Sequence, residues 1–157
     1  MTTDSATIEP AFYEQTWDLS YRHALGETTS RFLAGLRERK IYGRTTVEGR
    51  VIVPPRAYDD RTHTATGAWV EVGNEGVIEM FTVVYEAFRG LPEPPYALAY
   101  ALLDGADTAL VGYVKGLDLS EPAAAAAALK QARVVVRYAE KPTGTAADYW
   151  FELQGTD

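Results

Sequence analysis

The sequence predicts a mainly β domain in which N-terminal helices and a small hairpin precede a five-stranded barrel. The chain has 157 residues, the usual length of one domain. After residue 67, apolar or alternating runs of strand length follow one another between Gly and Pro turns. Before that point, apolar residues recur at helical spacing or are sparse. These observations divide the chain into residues 1–40, 41–66 and 67–157.

The first part, residues 1–40, is predicted to contain a loose arm and two helices. A short helix is indicated by three apolar residues spaced four positions apart: Trp17, Tyr21 and Leu25. Gly26 is predicted to end this helix. A second helix is predicted from about Thr29 to Arg39, with an apolar stripe formed by Phe32, Leu33 and Leu36.

The second part, residues 41–66, is predicted to be a small hairpin with irregular ends. Gly49 marks its turn, and Pro54-Pro55 stops any central strand. The segment has too few apolar residues to form a core by itself, so it must pack on the rest of the chain.

The third part, residues 67–157, is predicted to form the barrel. The segment AWVEV alternates, and VIEMFTVVY is apolar on both faces except Glu79 and Thr82. Asp104-Gly105 between two apolar runs predicts a hairpin, and the alanine run 123–128 predicts a short helix before the last two strands. Five long strands interrupted by one helix are typical of the OB-fold, a partly open Greek-key barrel.

Composition excludes several classes of site. The chain has no cysteine, which excludes disulfides, thiolate metal sites and a cysteine nucleophile, and which fits a cytoplasmic protein. We recognise neither a signal peptide nor an apolar run long enough to span a membrane. Residues 51–157 carry eight Lys and Arg against fifteen Asp and Glu, so the barrel should repel nucleic acid.

The basic residues concentrate between positions 37 and 56, just ahead of the barrel. They are either a solvated helix end, where cations suit the helix dipole, or a patch for an acidic partner or phosphorylated ligand. The first interpretation is favoured.

No catalytic constellation is evident in the sequence. No G-x-S-x-G elbow and no Walker or Rossmann glycine pattern occurs. Asp59, Asp60 and His63 could bind a divalent metal, although a solvated loop is the favoured interpretation. The many aromatic residues are better explained as core and interface anchors than as a stacking surface for bases.

Three stretches resemble a known family: TTSRFLAGLRERKIYGRTTVEGRVIVPPRAY, and the barrel segments FTVVY and PPYALAYALLDG. This is the family of thiolase-associated proteins in which a rubredoxin-like zinc ribbon precedes an OB-fold. The resemblance covers roughly residues 20–153, and its most specific part is the strand that runs into Val53–Arg56. Its four zinc cysteines are absent here, and the matching positions are Thr45, Glu48, Asp59 and Thr62. The resemblance therefore implies a degenerate ribbon that holds together without zinc.

The resemblance also implies a function. Family members accompany thiolase-like enzymes, so this chain is expected to be a non-catalytic subunit that binds no cofactor itself. Coenzyme A thioester is expected at the partner interface, with its phosphates near Arg44, Arg50 and Arg56. The expected partner contacts are Phe32, Leu36, Pro54, Pro55, Phe88 and Leu91. The two helix residues among them, Phe32 and Leu36, could equally be buried within this chain. The alternatives are a stand-alone acyl-CoA or small-ligand module, a single-strand nucleic-acid binder, and a metalloenzyme.

Overall fold

The computed structural model of the chain describes residues 12–155. Helix α1 comes first, at Gly26–Arg37. Three short strands form a separate sheet: β1 at Tyr42–Thr45, β2 at Val51–Ile52 and β3 at Trp69–Glu71. The barrel follows, and its elements are β4 at Glu75–Val84, β5 at Tyr96–Leu103, β6 at Leu110–Val114, α2 at Pro122–Leu129, β7 at Arg133–Tyr138 and β8 at Tyr149–Leu153.

The helix predicted around Trp17, Tyr21 and Leu25 is wrong, because residues 12–25 contain neither helix nor strand. These side chains are exposed, and a short helix without a packed face is marginal in water. Gly26, predicted to end that helix, instead begins α1. The remainder of the predicted arm, residues 1–11, lies outside the described residues.

The second predicted helix is confirmed as α1, shifted toward the N-terminus by two or three residues. Its apolar stripe buries Phe32 and Leu36 in the core. Gly35 allows the helix to approach β1 closely, since a Cβ at this position would lie 2.6 Å from the ring of Tyr42. At and beyond the helix end, Arg37 and Arg39 donate hydrogen bonds to the carbonyl oxygens of the segment 140–143.

The three-stranded sheet has the order β2-β1-β3, with both pairs antiparallel. The predicted hairpin is therefore present as β1 and β2. However, the strand AWVEV, which we expected to open the barrel, instead pairs with β1 as β3. Trp69 explains this, because its ring meets Tyr42 edge-on at 6.4 Å between centroids and carries the guanidinium of Arg31 at 4.5 Å.

The barrel is closed, in the order β4-β5-β6-β8-β7, which confirms the OB-fold prediction. Strands β6 and β8 pair in parallel, and the other barrel pairs are antiparallel. Helix α2 follows β6 and contributes Ala125 and Leu129 to the core. Within residues 12–155 no helix is long and apolar enough to cross a membrane.

Candidate functional site

One buried ion pair organises the corner of the three-stranded sheet. The Nη2 atom of Arg50 lies 2.7 Å from Oδ1 of Asp59, whose side chain is almost wholly buried. Asp59 also accepts hydrogen bonds from the backbone N–H of Arg61 and the hydroxyl of Thr62, both at 3.1 Å. On the other side of the guanidinium, Nε lies 3.7 Å from a carboxylate oxygen of Glu48. We call Glu48, Arg50, Asp59 and Thr62 the Arg50 cluster.

The Arg50 cluster contains three of the four positions that match zinc cysteines: Glu48, Asp59 and Thr62. The fourth, Thr45, uses its hydroxyl oxygen to accept the N–H of Ala68 at 2.9 Å. Two threonine hydroxyls and two carboxylates are a poor donor set for structural zinc, which prefers thiolate and imidazole. A guanidinium already supplies positive charge between the carboxylates. The residues present therefore do not fit zinc.

Hydrogen bonds hold the Asp59 carboxylate in its charged form. The N–H of Arg61 contributes most, while the Thr62 hydroxyl and the Arg50 guanidinium add to it. Together they outweigh burial and hold the pKa of Asp59 below its usual range. This low pKa means that Asp59 remains a charged partner for Arg50 at neutral pH.

The metal site considered for Asp59, Asp60 and His63 finds no support in the geometry. Asp59 is committed to the Arg50 cluster, and Asp60 pairs with Arg56. The side chain of His63 takes part in none of the hydrogen bonds of residues 12–155. Across the same described residues, no three side chains of the metal-ligating types His, Cys, Asp or Glu are grouped to hold an ion.

The three arginines expected near coenzyme A phosphates have different surroundings. Arg44 donates to the carbonyl oxygens of Thr66 and Gly67 and lies over the ring of Trp69. Arg50 is held in its cluster. Arg56 is exposed and pairs with Asp60 at 3.1 Å. Of the three, Arg56 is thus the one that faces solvent, and the assignment to phosphate stays a prediction.

The expected partner contacts also divide into buried and exposed residues. Phe32 and Leu36 are buried in the core of this chain, so the structure assigns them to packing within it. Pro55 is buried too, whereas Pro54 is exposed. Phe88 and Leu91 are exposed in the β4–β5 loop. The sequence could not separate these groups because a buried stripe and a docking stripe have the same periodicity.

An apolar row on the outside of the barrel was not among the predicted contacts. Met80, Tyr100 and Val111 are 65 %, 49 % and 42 % exposed. They occupy neighbouring register positions on β4, β5 and β6, so they form one row across three strands. A shift in register between Ile78 and Met80 lets Glu79 and Met80 both face solvent. We call Met80, Tyr100 and Val111 the outer row.

A signal for the outer row was present in the sequence. A strand of an antiparallel sheet that is apolar on both faces indicates that its outer face is covered. The run VIEMFTVVY has that character. The position of Met80 itself could not be predicted, because the bulge that turns it outward has no distinctive sequence here.

A second exposed apolar segment precedes α1. The large apolar side chains of residues 12–25 are exposed, and Trp17, for example, is 71 % exposed. These side chains are Phe12, Tyr13, Trp17, Leu19, Tyr21 and Leu25. Several large apolar side chains exposed in one segment indicate a candidate interaction surface. We call residues 12–25 the aromatic segment.

A cavity of about 460 Å³ opens at the barrel mouth. The β4–β5 loop contributes Pro92 and Pro95, and Ala147 comes from the β7–β8 loop. The ends of β5 and β6 contribute Tyr96 and Tyr113. We call this space the barrel-mouth cavity.

The β7–β8 loop beside the barrel-mouth cavity is well fixed. The carboxylate of Asp148 accepts backbone N–H groups from Thr143, Gly144 and Thr145. These bonds hold the pKa of Asp148 low against the effect of burial. One wall of the cavity is therefore preformed.

Comparison with known proteins identifies the barrel. Residues 69–138 match the family described as ChsH2, C-terminal OB-fold domain. No curated protein matches the chain in sequence. The solved structures that are similar in fold include the following two. One, described as an Ltp2-ChsH2(DUF35) aldolase, has a TM-score of 0.64 and 17 % identity over 84 % of this chain and 98 % of its own. The other is a DUF35-family protein of unknown function from Sulfolobus solfataricus. It has a TM-score of 0.58 and 20 % identity over 82 % of this chain and 87 % of its own.

Proposed function

Because residues 69–138 match the family of ChsH2 C-terminal OB-fold domains, we propose that this chain is a non-catalytic accessory subunit of a thiolase-like enzyme. The partner carries out thiolysis, condensation or retro-aldol cleavage of an acyl-CoA, and this chain stabilises it and helps to shape its acyl-CoA site. The proposed setting is the cytoplasm. The observation that carries the proposal is the outer row, an apolar surface of a kind that partners cover.

The outer row suits a protein partner for a physical reason. Met80, Tyr100 and Val111 lie on three paired strands, so they present a rigid surface that loses little conformational freedom on docking. Tyrosine and methionine are enriched at protein interfaces, whereas Glu79 beside them is typical of a polar rim. The aromatic segment offers further apolar area to the same partner.

A comparison also supports an accessory role. The similar aldolase structure is described by two protein names, Ltp2 and ChsH2(DUF35), which fits a family that works within a complex. Among the arginines expected near coenzyme A, the exposed Arg56 is the best placed to reach a ligand held by the partner.

A docking experiment tests the proposal. The chain is mixed with the thiolase-like protein encoded by a neighbouring gene, and complex mass is measured by size-exclusion chromatography with light scattering. We expect a hetero-oligomer with the wild type and at least about tenfold weaker binding with Tyr100→Asp, since central aromatic contacts dominate interfaces. Ala124→Asp on the exposed face of α2 is the matched control and should bind normally. Failure of the wild type to associate at micromolar concentration would end the proposal.

The barrel-mouth cavity favours a second candidate function, a stand-alone acyl-CoA or small-ligand binding module. Calorimetry of the isolated chain with acetyl-CoA tests the acyl-CoA form of this candidate. Low-micromolar binding without a partner supports it, and no heat of binding leaves only a smaller ligand for the cavity.

A further inference from the structure

The barrel-mouth cavity has the form and position of a small-molecule site. Its volume of about 460 Å³ lies within the range of ligand pockets. It lies between the β4–β5 and β7–β8 loops and against β5 and β6, the second and third strands of the barrel. OB-folds in general bind their ligands on this face and between these loops. Location alone leaves the chemistry of the ligand open.

The walls of the cavity are apolar and aromatic. Tyr96 and Tyr113 meet edge-on at 5.9 Å between ring centroids, and Leu117 also belongs to the lining. Tyr149 donates its hydroxyl to the carbonyl oxygen of Val111, and burial raises its pKa to about 12. Tyr149 therefore stays neutral at any physiological pH, and its ring acts as an apolar wall. An apolar ligand body, above all a ring, is complementary to these walls.

Lys115 is the one charged side chain among the described residues that line the cavity. Its ammonium lies 4.0 Å from the ring centroid of Trp150, and none of the ion pairs of residues 12–155 includes it. Glu152, the acid whose charge Lys115 helps to stabilise, already accepts hydrogen bonds from Arg137 and Trp150. Lys115 is therefore a lining residue whose ammonium has no carboxylate bonded to it and lies on the ring of Trp150, a residue outside the lining.

We propose that the cavity binds a small carboxylate with an apolar body, such as an arylalkanoate. The carboxylate pairs with the Lys115 ammonium, and the ring lies among Tyr96, Tyr113 and Leu117. This inference rests on the second candidate function and deepens it by naming a ligand class. A single lysine matches one carboxylate, whereas the several phosphate charges of a whole coenzyme A would lack partners in this lining.

Calorimetry of the full chain with 4-phenylbutyrate tests the inference, and 4-phenylbutanol is the neutral comparison. We expect saturable one-to-one binding of the acid, with the alcohol about threefold weaker because it lacks the ion pair. Lys115→Met keeps the length of the side chain and removes its charge, so it should bind acid and alcohol alike. Lys141→Met, an exposed lysine outside the lining, should behave as the wild type.

Three results would overturn the inference. They are the absence of saturable 4-phenylbutyrate binding, equal binding of acid and alcohol by the wild type, and an unchanged preference for the acid in Lys115→Met. All of these measurements use the isolated chain. A negative result for ligand binding is therefore distinct from a negative result for partner docking, which is measured by the mass of the complex.

Discussion

At the scale of single residues, Arg50 and Asp59 join two turns of the three-stranded sheet across nine positions of sequence. The guanidinium contacts Glu48 and Asp59, two of the four positions that the resemblance matches to zinc cysteines. A chelator can remove the metal ion from a zinc site, but it cannot disrupt an ion pair between two side chains. Side-chain geometry, rather than bound zinc, then determines the stability of this corner.

Removal of Arg50 should therefore destabilise the protein. Arg50→Ala leaves the buried Asp59 carboxylate without its cation, and we expect the melting temperature to fall by roughly 5 °C or more. Arg56→Ala, which breaks the exposed pair with Asp60, should change it by about 1 °C at most. Differential scanning calorimetry with and without EDTA measures both effects. A wild type that loses stability in EDTA, or equal effects of the two variants, would contradict the ion-pair account.

Asp59 also predicts a pH dependence. Its folded-state pKa lies below the unfolded value of about 3.9, so its stabilising contribution is fully present above that pH and is lost as the pH falls through the folded pKa. The difference in unfolding free energy between wild type and Asp59→Asn should be constant from about pH 5 to about pH 8 and shrink below about pH 4. Urea titrations across this range measure it. A difference that widens in acid would mean that the pKa is raised instead.

At the scale of elements, the aromatic segment and α1 contain similar side chains in opposite environments. Trp17 and Tyr21 are exposed, so their joint replacement by Ala should leave the free energy of unfolding unchanged within about 0.5 kcal/mol. Phe32→Ala, in the buried stripe of α1, is the contrasting variant and should cost about 3 kcal/mol. Chemical denaturation compares them. A large loss from the first pair would show that the aromatic segment packs on the chain.

The same elements show how far sequence reasoning reaches. Strands β4 to β8 are predictable because their apolar runs exceed the length of any turn and are bounded by signals such as Asp104-Gly105. The prediction for β3 names the wrong sheet, since alternation predicts a strand but not its neighbour. The neighbour is β1, where the ring of Tyr42 contacts Trp69. Spacing predicts a helix through Trp17, where no surface of the described chain packs on it.

The candidate sites are less predictable than the strands. The outer row depends on a bulge at Met80, and the barrel-mouth cavity brings together Tyr96, Lys115 and Ala147 from distant parts of the chain. Neither arrangement has a local pattern. Asp59 matches a zinc-ligand position in the sequence, but its pairing with Arg50 can be identified only in three dimensions.

At the scale of the whole molecule, charge separates this barrel from OB-folds that bind nucleic acid. The chain carries a net charge of −7, with the surplus of acids in residues 51–157. Binding to single strands needs a basic groove, and the described lining of the cavity contributes one lysine. We expect no anisotropy change with a fluorescent oligo-dT at about 0.15 M salt. A saturable, salt-sensitive signal would contradict this.

At this scale, the two proposals assign a docking surface for a protein and a site for a small ligand to different residues of one barrel. The outer row lies on β4, β5 and β6, and the cavity is lined by the β4–β5 and β7–β8 loops together with the ends of β5 and β6. The two sites use different residues. A variant of one should leave the other intact, so their functions can be measured separately.

The central claim, an accessory subunit without catalysis of its own, is tested most directly by acyl-CoA turnover. The isolated chain, the thiolase-like protein encoded by a neighbouring gene and the mixture of the two are assayed side by side. The account predicts no turnover by the isolated chain and a higher rate or a longer active lifetime for the mixture than for the partner alone. Turnover by the isolated chain, or a partner indifferent to its presence, would contradict the account.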